Sequence, residues 1–149
     1  MRSIIGNEVN EFNRLTKAFS DLYRSICVQS KMSASTFDIL YSIAALGDGC
    51  CQKDICAYSF SSKQTIHSSI RKLEQEEILY MKPGKGREMQ IFLTEKGRHY
   101  VDEKITPIIA MENQAFKQMA PEQRTSLLFL TETYLTYLRT LTKNLDGKD

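Results

Sequence analysis

Tryptophan is absent from this sequence of 149 residues, and histidine, proline and cysteine are scarce. The four cysteines are too few and too clustered for the disulfide framework of a small secreted protein. Charged residues interrupt every apolar stretch, so no segment approaches the roughly 18 apolar residues that a membrane span requires. The N-terminal segment lacks the long uncharged run of a secretory signal, because Glu8 arrives too soon. These absences predict a cytoplasmic protein that does not enter a membrane.

An excess of charge of either sign is also missing, since 20 Lys and Arg stand against 18 Asp and Glu. The molecule as a whole is therefore not a cationic tail or a membrane-binding peptide. The charge is unevenly distributed, however, because residues 51–100 hold nine basic against six acidic side chains while residues 1–50 balance. Any function that needs positive charge is therefore expected in the middle third of the chain.

Sequence signatures of catalysis are missing as well, since there is no Gly-rich phosphate loop, nucleophile elbow or metalloprotease motif. We therefore expect no enzyme and no cofactor. Cys50, Cys51 and Cys56 with His67 offer soft metal ligands, but the adjacent pair lacks Cys-x-x-Cys spacing, so free thiols are favoured over a metal site. Cys27, Cys50 and Cys51 are candidate redox sensors if a nearby positive charge lowers a thiol pKa.

The apolar residues predict an α-helical beginning. Steps of three and four indicate one long amphipathic helix, with Ile5, Val9, Phe12, Leu15, Phe19, Leu22 and Ile26 on one face. Ser33 is expected to cap a short second helix, which Gly47 and its neighbours end. A third helix is predicted from about Gln52 to Tyr58.

The clearest local pattern comes next. Ser61 and Gln64 have the spacing of a capping box, and Ile66, Ile70 and Leu73 form one apolar edge behind it. The other faces of this helix and its start carry hydroxyl, amide and cationic groups: Ser62, Lys63, Gln64, Thr65, His67, Ser68, Arg71 and Lys72. Such a set is suited to nucleic acid, and the alternative is a merely solvated face.

The periodicity then changes to that of strands. Residues 78–82 and 88–93 predict a β-hairpin, and its turn region holds Lys82, Lys85 and Arg87. An ordinary charged turn is the alternative to a binding role. Thr94 is expected to cap a further helix, in which Pro107 would produce a bend. A leucine-rich last helix is predicted from near Pro121.

This order of elements predicts a mainly α fold with a small β-hairpin wing, namely a winged helix-turn-helix flanked by N- and C-terminal helices. In that fold the second of two closely linked helices enters the major groove of DNA. Base edges there offer donors and acceptors that match Gln, Ser, Thr, Arg and Lys side chains. The basic hairpin would meet the phosphate backbone or the adjacent minor groove.

Several segments resemble the MarR family of bacterial transcriptional regulators, and the resemblance covers nearly the whole chain. Residues 32–40 resemble the entry into that family's second helix, and residues 52–56 resemble the first helix of its helix-turn-helix. Residues 62–74 resemble its recognition helix, and residues 91–97, Ile-Phe-Leu-Thr-Glu-Lys-Gly, resemble the segment leaving its wing.

The wing departs from the family pattern at one position. An Asp-x-Arg motif is common there, and the aligned residues are Lys85, Gly86 and Arg87. The arginine is present but its acidic partner is not, although Glu88 is a possible steric substitute. Phosphate contact is therefore the favoured expectation for Arg87, and insertion into the minor groove is the alternative.

The resemblance implies one domain over residues 1–149, with a DNA-binding region at 33–99 and dimerisation helices at 1–31 and 100–146. The implied protein is a homodimeric repressor that binds a pseudo-palindromic operator in double-stranded DNA and is released by a small aromatic effector or an oxidant. Surplus apolar helix faces agree with a dimer. The resemblance also implies an effector pocket that aromatic residues could line, although aromatic residues at helical spacing more often belong to a core: Tyr23, Phe37, Tyr41, Tyr134 and Tyr137. The alternative function is a winged-helix protein-interaction adaptor without DNA binding.

Overall fold

The computed structural model describes residues 5–86 and 88–146, and in this part of the chain helices predominate. The helices are α1 (Asn7–Gln29), α2 (Ala34–Leu46), α3 (Gln52–Tyr58), α4 (Lys63–Gln75), α5 (Glu95–Lys104), α6 (Thr106–Gln118) and α7 (Pro121–Asp146). The strands are β1 (Cys50–Cys51), β2 (Leu79–Pro83) and β3 (Met89–Leu93). The predicted fold class, mainly α with a small β wing, is confirmed. Two compact units divide the chain, residues 1–107 and residues 108–149.

The sheet has three antiparallel strands in the order β1-β3-β2. Strands β2 and β3 form the predicted hairpin, each one residue away from the predicted start, and Met81 lies opposite Ile91. Strand β1 was not predicted, because two residues are too short to show a period. Cys50 pairs with Ile91 from the other side, so β3 becomes the central strand of the sheet.

The core of the first unit lies between α2, α3, α4 and the sheet. The apolar edge predicted for α4 is confirmed, since Ile66, Ile70 and Leu73 are all buried. The apolar residues of helix α2 are not confined to one face, and the helix buries consecutive residues, including Ile39 and Leu40. Burial on that scale, with each large aliphatic side chain contributing about 1.5–3 kcal/mol, holds α4 against α2 and leaves the opposite side of α4 to solvent.

Helix caps follow the sequence with one exception. The Ser33 hydroxyl accepts from the Thr36 N–H at 3.1 Å, and the Thr94 hydroxyl accepts from the Gly97 N–H at 2.9 Å, as predicted. The predicted capping box at Ser61 is wrong, because Ser62 caps α4 by accepting from the Thr65 N–H at 3.2 Å. Ser61 is held by a buried carboxylate on α2 instead.

The predicted bend at Pro107 is a complete break between two helices. Helix α5 ends at Lys104, and α6 begins at Thr106 with Pro107 in its first turn. Proline has no N–H to donate to the preceding turn, but the first turn of a helix does not need that donor. Pro107 is therefore well suited to the first turn of a new helix, whereas inside a continuous helix it would remove a hydrogen bond.

Helices α1 and α7 keep much of their apolar surface in solvent. On α1 and just before it the exposed apolar residues are Ile5, Val9, Phe12, Leu15, Phe19 and Leu22. On α7 the set includes four consecutive residues, Leu127, Leu128, Phe129 and Leu130, which point to all sides of the helix, and continues through Leu141. No helix among the described residues is both long and apolar enough to cross a bilayer.

Candidate nucleic-acid interface

A buried carboxylate fixes the turn between α3 and α4. Asp38 on α2 is only 9% exposed, and its Oδ2 accepts hydrogen bonds from the Ser61 N–H at 3.1 Å and the Ser61 hydroxyl at 2.5 Å. The Ser59 hydroxyl donates to the same oxygen at 3.2 Å. Because hydrogen bonds to a charged group are the stronger kind, this carboxylate holds both helices of the pair in place relative to α2.

A side chain at the middle of α4 also ties this helix to α2. The Ser69 hydroxyl donates to the Ser35 hydroxyl at 2.8 Å, across 34 positions of sequence. Together with the buried edge of α4, this bond sets which side of the helix faces outward. Sequence reasoning missed both Asp38 and Ser69, because neither has a local signal that indicates its distant partner.

The eight predicted residues of α4 and its cap are all exposed: Ser62, Lys63, Gln64, Thr65, His67, Ser68, Arg71 and Lys72. With 3.6 residues per turn, Gln64, Ser68 and Arg71 lie at the middle of the face opposite the buried edge. The helix therefore presents an amide, a hydroxyl and a guanidinium group along the centre of its outward side.

Some of these groups are occupied by local bonds and others are not. The Ser68 hydroxyl donates to the Thr65 carbonyl at 3.0 Å, and the Ser62 and Thr65 hydroxyls lie 2.8 Å apart. The side chains of Lys63 and Gln64 make no hydrogen bond to any other residue that the structure describes. Their donors and acceptors are therefore available to an external partner.

His67 connects α3 to the outward face of α4. Its Nδ1 lies 3.1 Å from the Gln52 Oε1, and the Arg71 Nε donates to its Nε2 at 3.2 Å. Gln52 was not among the predicted site residues, and the 15 positions between it and His67 leave no sequence pattern to find it by.

A cleft of about 320 Å³ lies between α4, the start of α3 and the hairpin. Its lining is mainly apolar and includes Ile70, Met81 and Met89, while His67 and Arg71 lie along the same cleft. The side chains that the structure describes therefore leave an open space between α4 and the hairpin, the two elements predicted to contact DNA.

The hairpin places its predicted cations differently. The Lys82 Nζ lies 5.3 Å from the centre of the Tyr80 ring and 5.7 Å from that of Phe92, and these two rings stack at 5.5 Å. A cation over aromatic faces gains about 0.5–1 kcal/mol at an exposed site. Lys85 is exposed in the turn, and Arg87 lies outside the described residues.

The cysteine thiols differ in their surroundings. Burial raises the pKa of Cys50 to about 11, and burial likewise raises the pKa of Cys27, with a smaller contribution from the Asp38 charge. Both effects oppose the thiolate that reacts with oxidants. Cys51 is half-exposed at the start of α3, where its N–H donates to the Asp54 carboxylate at 2.9 Å. The environment therefore disfavours Cys27 and Cys50 as sensors.

The predicted aromatic set falls in both units of the chain. In the first unit Tyr23, Phe37 and Tyr41 form a continuous cluster between α1 and α2, with ring centres 6.0 and 5.3 Å apart. Tyr134 and Tyr137 belong to α7 in the second unit. Within the described ranges, no group of three or more potential ligands is placed to hold a metal ion.

Comparison with known proteins gives matches at the level of structure. No family model matches the sequence, and no curated protein matches it. A MarR-family regulator from Neisseria meningitidis superposes with a TM-score of 0.78 at 19% identity, covering 95% of this chain and 100% of the other. The match therefore extends over essentially the entire fold.

Two further solved structures share the fold. The MepR–DNA complex of S. aureus gives a TM-score of 0.65 at 19% identity and covers 90% of this chain and 99% of that chain. The second is BpsR of Bordetella bronchiseptica, whose DNA binding is regulated by 6-hydroxynicotinic acid. It gives a TM-score of 0.63 at 17% identity and covers 90% of this chain and 98% of that chain. The chain thus has the winged-helix fold of MarR-family regulators.

Proposed function

We propose that this chain, which has the fold of MarR-family regulators, is a sequence-specific double-stranded DNA-binding transcriptional regulator. The observation that carries the proposal is the exposed polar and cationic face of α4, beside a basic hairpin, in a fold that a solved relative uses in complex with DNA. A DNA-binding regulator in a bacterium acts in the cytoplasm, where the chromosome lies.

In this proposal α4 enters the major groove. The contact residues are those of its exposed face and cap: Ser62, Lys63, Gln64, Thr65, His67, Ser68, Arg71 and Lys72. Gln64 and Arg71 have the chemistry for paired hydrogen bonds to adenine and guanine edges respectively. Lys82, Lys85 and Arg87 are proposed to contact phosphates, which position the protein without reading sequence.

We also propose a homodimer that uses α1 and α7, so that residues 1–31 and 100–146 flank a DNA-binding region at 33–99. The support is the exposed apolar surface of both helices, which on α7 extends to all sides at residues 127–130. A helix that is apolar all round is ordinarily buried. Two copies related by a twofold axis would present two α4 helices to a pseudo-palindromic operator with half-sites about one helical turn apart.

We further propose that the protein is a repressor that an effector releases from DNA. BpsR, whose DNA binding is regulated by a small aromatic acid, shares the fold, and the Tyr23, Phe37 and Tyr41 cluster supplies aromatic surface for such a ligand. If an oxidant acts instead, Cys51 is the candidate thiol, because it is more exposed than Cys27 and Cys50.

A protein-interaction adaptor is the second candidate function. One observation favours it, namely that the Phe60 side chain in the turn between α3 and α4 is fully exposed. An exposed aromatic side chain is a common anchor at protein interfaces. The cationic groups on α4 distinguish the two functions, since an adaptor does not need them.

Selection of bound duplexes from a random library tests the DNA-binding proposal without knowledge of the operator. We expect enrichment of a pseudo-palindrome by the wild-type protein and weaker, less specific enrichment by Arg71→Ala. The control is His99→Ala, which replaces an exposed side chain on α5 and should leave the enriched sequences unchanged. Recovery of no motif by a folded protein at low salt would favour the adaptor.

A further inference from the structure

The Gln52, His67 and Arg71 side chains form one chain of hydrogen bonds with a fixed direction. Arginine is always charged and can only donate, so the Arg71 Nε–H must donate to the His67 Nε2, at 3.2 Å. Nε2 therefore carries no proton. A neutral imidazole then has its proton on Nδ1, which donates to the Gln52 Oε1 at 3.1 Å.

The opposite orientation of the Gln52 amide is chemically incompatible with this arrangement. If Gln52 turned its NH₂ group toward Nδ1, both ring nitrogens would have to accept, and the imidazole would have to lose both protons. One donor that cannot be reversed, on Arg71, thus determines the tautomer of His67 and the amide orientation of Gln52.

The hydrogen bond from the Arg71 Nε to His67 leaves the terminal nitrogens of the guanidinium group available. The two terminal nitrogens, with four N–H groups, remain free of His67 and form the end of the planar fork. That end matches the O6 and N7 acceptors of guanine in the major groove. Since arginine otherwise loses much rotamer freedom on binding, a side chain held beforehand binds with a smaller entropic loss.

We propose that His67, counted above among the contact residues of α4, acts instead as a positioning residue that orients Arg71 toward a guanine edge and does not itself contact DNA. The inference rests on the proposed function for its DNA partner, but the hydrogen-bonded chain does not depend on DNA. His67 lies on the flank of α4 that faces α3, and Gln52, His67 and Arg71 line the same cleft. Among the residues that the structure describes, the other charged side chains lining that cleft are Lys53 and Glu88.

The tautomer can be measured on the free protein by ¹⁵N NMR after labelling histidine. His67 is expected to carry its proton on Nδ1 at a pH where the ring is neutral, and Arg71→Ala should abolish that preference because it removes the donor to Nε2. His99 is the internal reference, because it is the other of the two histidines and is exposed. A proton on Nε2 of His67, or an even mixture of tautomers, would overturn the proposal whether or not the protein binds DNA.

A double-mutant cycle tests the positioning role on a duplex selected by the wild-type protein. His67→Ala should weaken binding about tenfold and relax the preference at the base pair that Arg71→Ala relaxes. In the Arg71→Ala background the same substitution should change affinity less than twofold. His67→Gln, whose side-chain oxygen can accept near the position of Nε2, should restore most of the binding.

The contrary result is equally specific. If His67→Ala weakens binding by the same factor with and without Arg71, then His67 contacts DNA directly and the positioning role is wrong. Both residues are exposed, so thermal unfolding of each variant should match the wild type. A wild-type protein that selects no duplex would contradict the proposed function, while the NMR result would still decide whether the hydrogen-bonded chain exists.

Discussion

The Asp38 carboxylate accepts hydrogen bonds from both the N–H and the hydroxyl of Ser61, at 3.1 and 2.5 Å. The two residues are 23 positions apart, yet this contact decides where α4 begins. Because Ser61 is bound to α2, the next residue, Ser62, becomes the cap of α4. The direction of the outward face of α4 thus depends on a carboxylate that does not belong to that face.

Replacing Asp38 with alanine is expected to lower the free energy of unfolding by about 2–3 kcal/mol, because the donors on Ser59 and Ser61 lose a charged acceptor. Urea denaturation measures the change. Ser59→Ala is the matched control, since it leaves the carboxylate and both Ser61 donors in place and should cost about 1 kcal/mol. It removes one donor to Asp38, at 3.2 Å, together with the bonds of the Ser59 hydroxyl to the Ser61 N–H at 3.0 Å and the Ser61 carbonyl at 3.4 Å. An Asp38→Ala protein as stable as the wild type would show that the turn does not depend on this carboxylate.

Gly97 on α5 is buried where no side chain fits, because a Cβ atom there would lie 1.9 Å from the Ile78 carbonyl oxygen. Gly97→Ala is expected to destabilise the protein by about 3 kcal/mol, although alanine is ordinarily the better helix former by about 1 kcal/mol. The neighbouring exposed substitution His99→Ala should change the unfolding free energy by less than about 0.5 kcal/mol. Stabilisation by Gly97→Ala would mean that α5 does not pack on this carbonyl.

Cys50 is expected to be unreactive at neutral pH. With its pKa raised to about 11 by burial, about one thiol in a thousand is ionised at pH 8. Iodoacetamide labelling followed by mass spectrometry, with Cys50 as the sole cysteine in a Cys27→Ser, Cys51→Ser, Cys56→Ser protein, should be slow and should accelerate strongly in denaturant. Labelling as rapid in the folded as in the unfolded protein would contradict the buried environment.

Disruption of the exposed leucine surface on α7 tests the dimer. Leu128→Glu introduces a carboxylate where 62% of a leucine side chain is exposed in the single chain. If a second copy covers this surface, sedimentation velocity should show a shift from dimer toward monomer. Lys85→Glu, which changes charge on the hairpin, should leave the sedimentation coefficient unchanged. A monomeric wild-type protein at micromolar concentration would contradict the proposed interface.

The parts of the fold predicted from sequence depend on neighbours within one or two helical turns. The caps at Ser33 and Thr94, the bounds of α3 and the buried edge of α4 all follow from local spacing. The exposed set on α4 follows equally, because a helix with one apolar edge leaves its other faces to solvent.

The parts that sequence did not predict depend on distant partners. The shift of the cap from Ser61 to Ser62 comes from Asp38, and β1 exists because Cys50 pairs with Ile91 on β3. The link between His67 and Gln52 likewise joins two helices through a turn. Tertiary contacts of this kind leave no period in the sequence, so only a three-dimensional structure reveals them.

The most direct test of the central claim, sequence-specific DNA binding through α4, is fluorescence anisotropy at several salt concentrations. The duplexes are a selected or upstream fragment and its scrambled counterpart, and the proteins are wild type, Arg71→Ala and Lys85→Ala. We predict a preference of about a thousandfold or more for the specific duplex, reduced by Arg71→Ala. Lys85→Ala should weaken both duplexes alike and reduce the salt slope by about 0.9. Equal affinity of the wild-type protein for both duplexes at every salt concentration would contradict the claim.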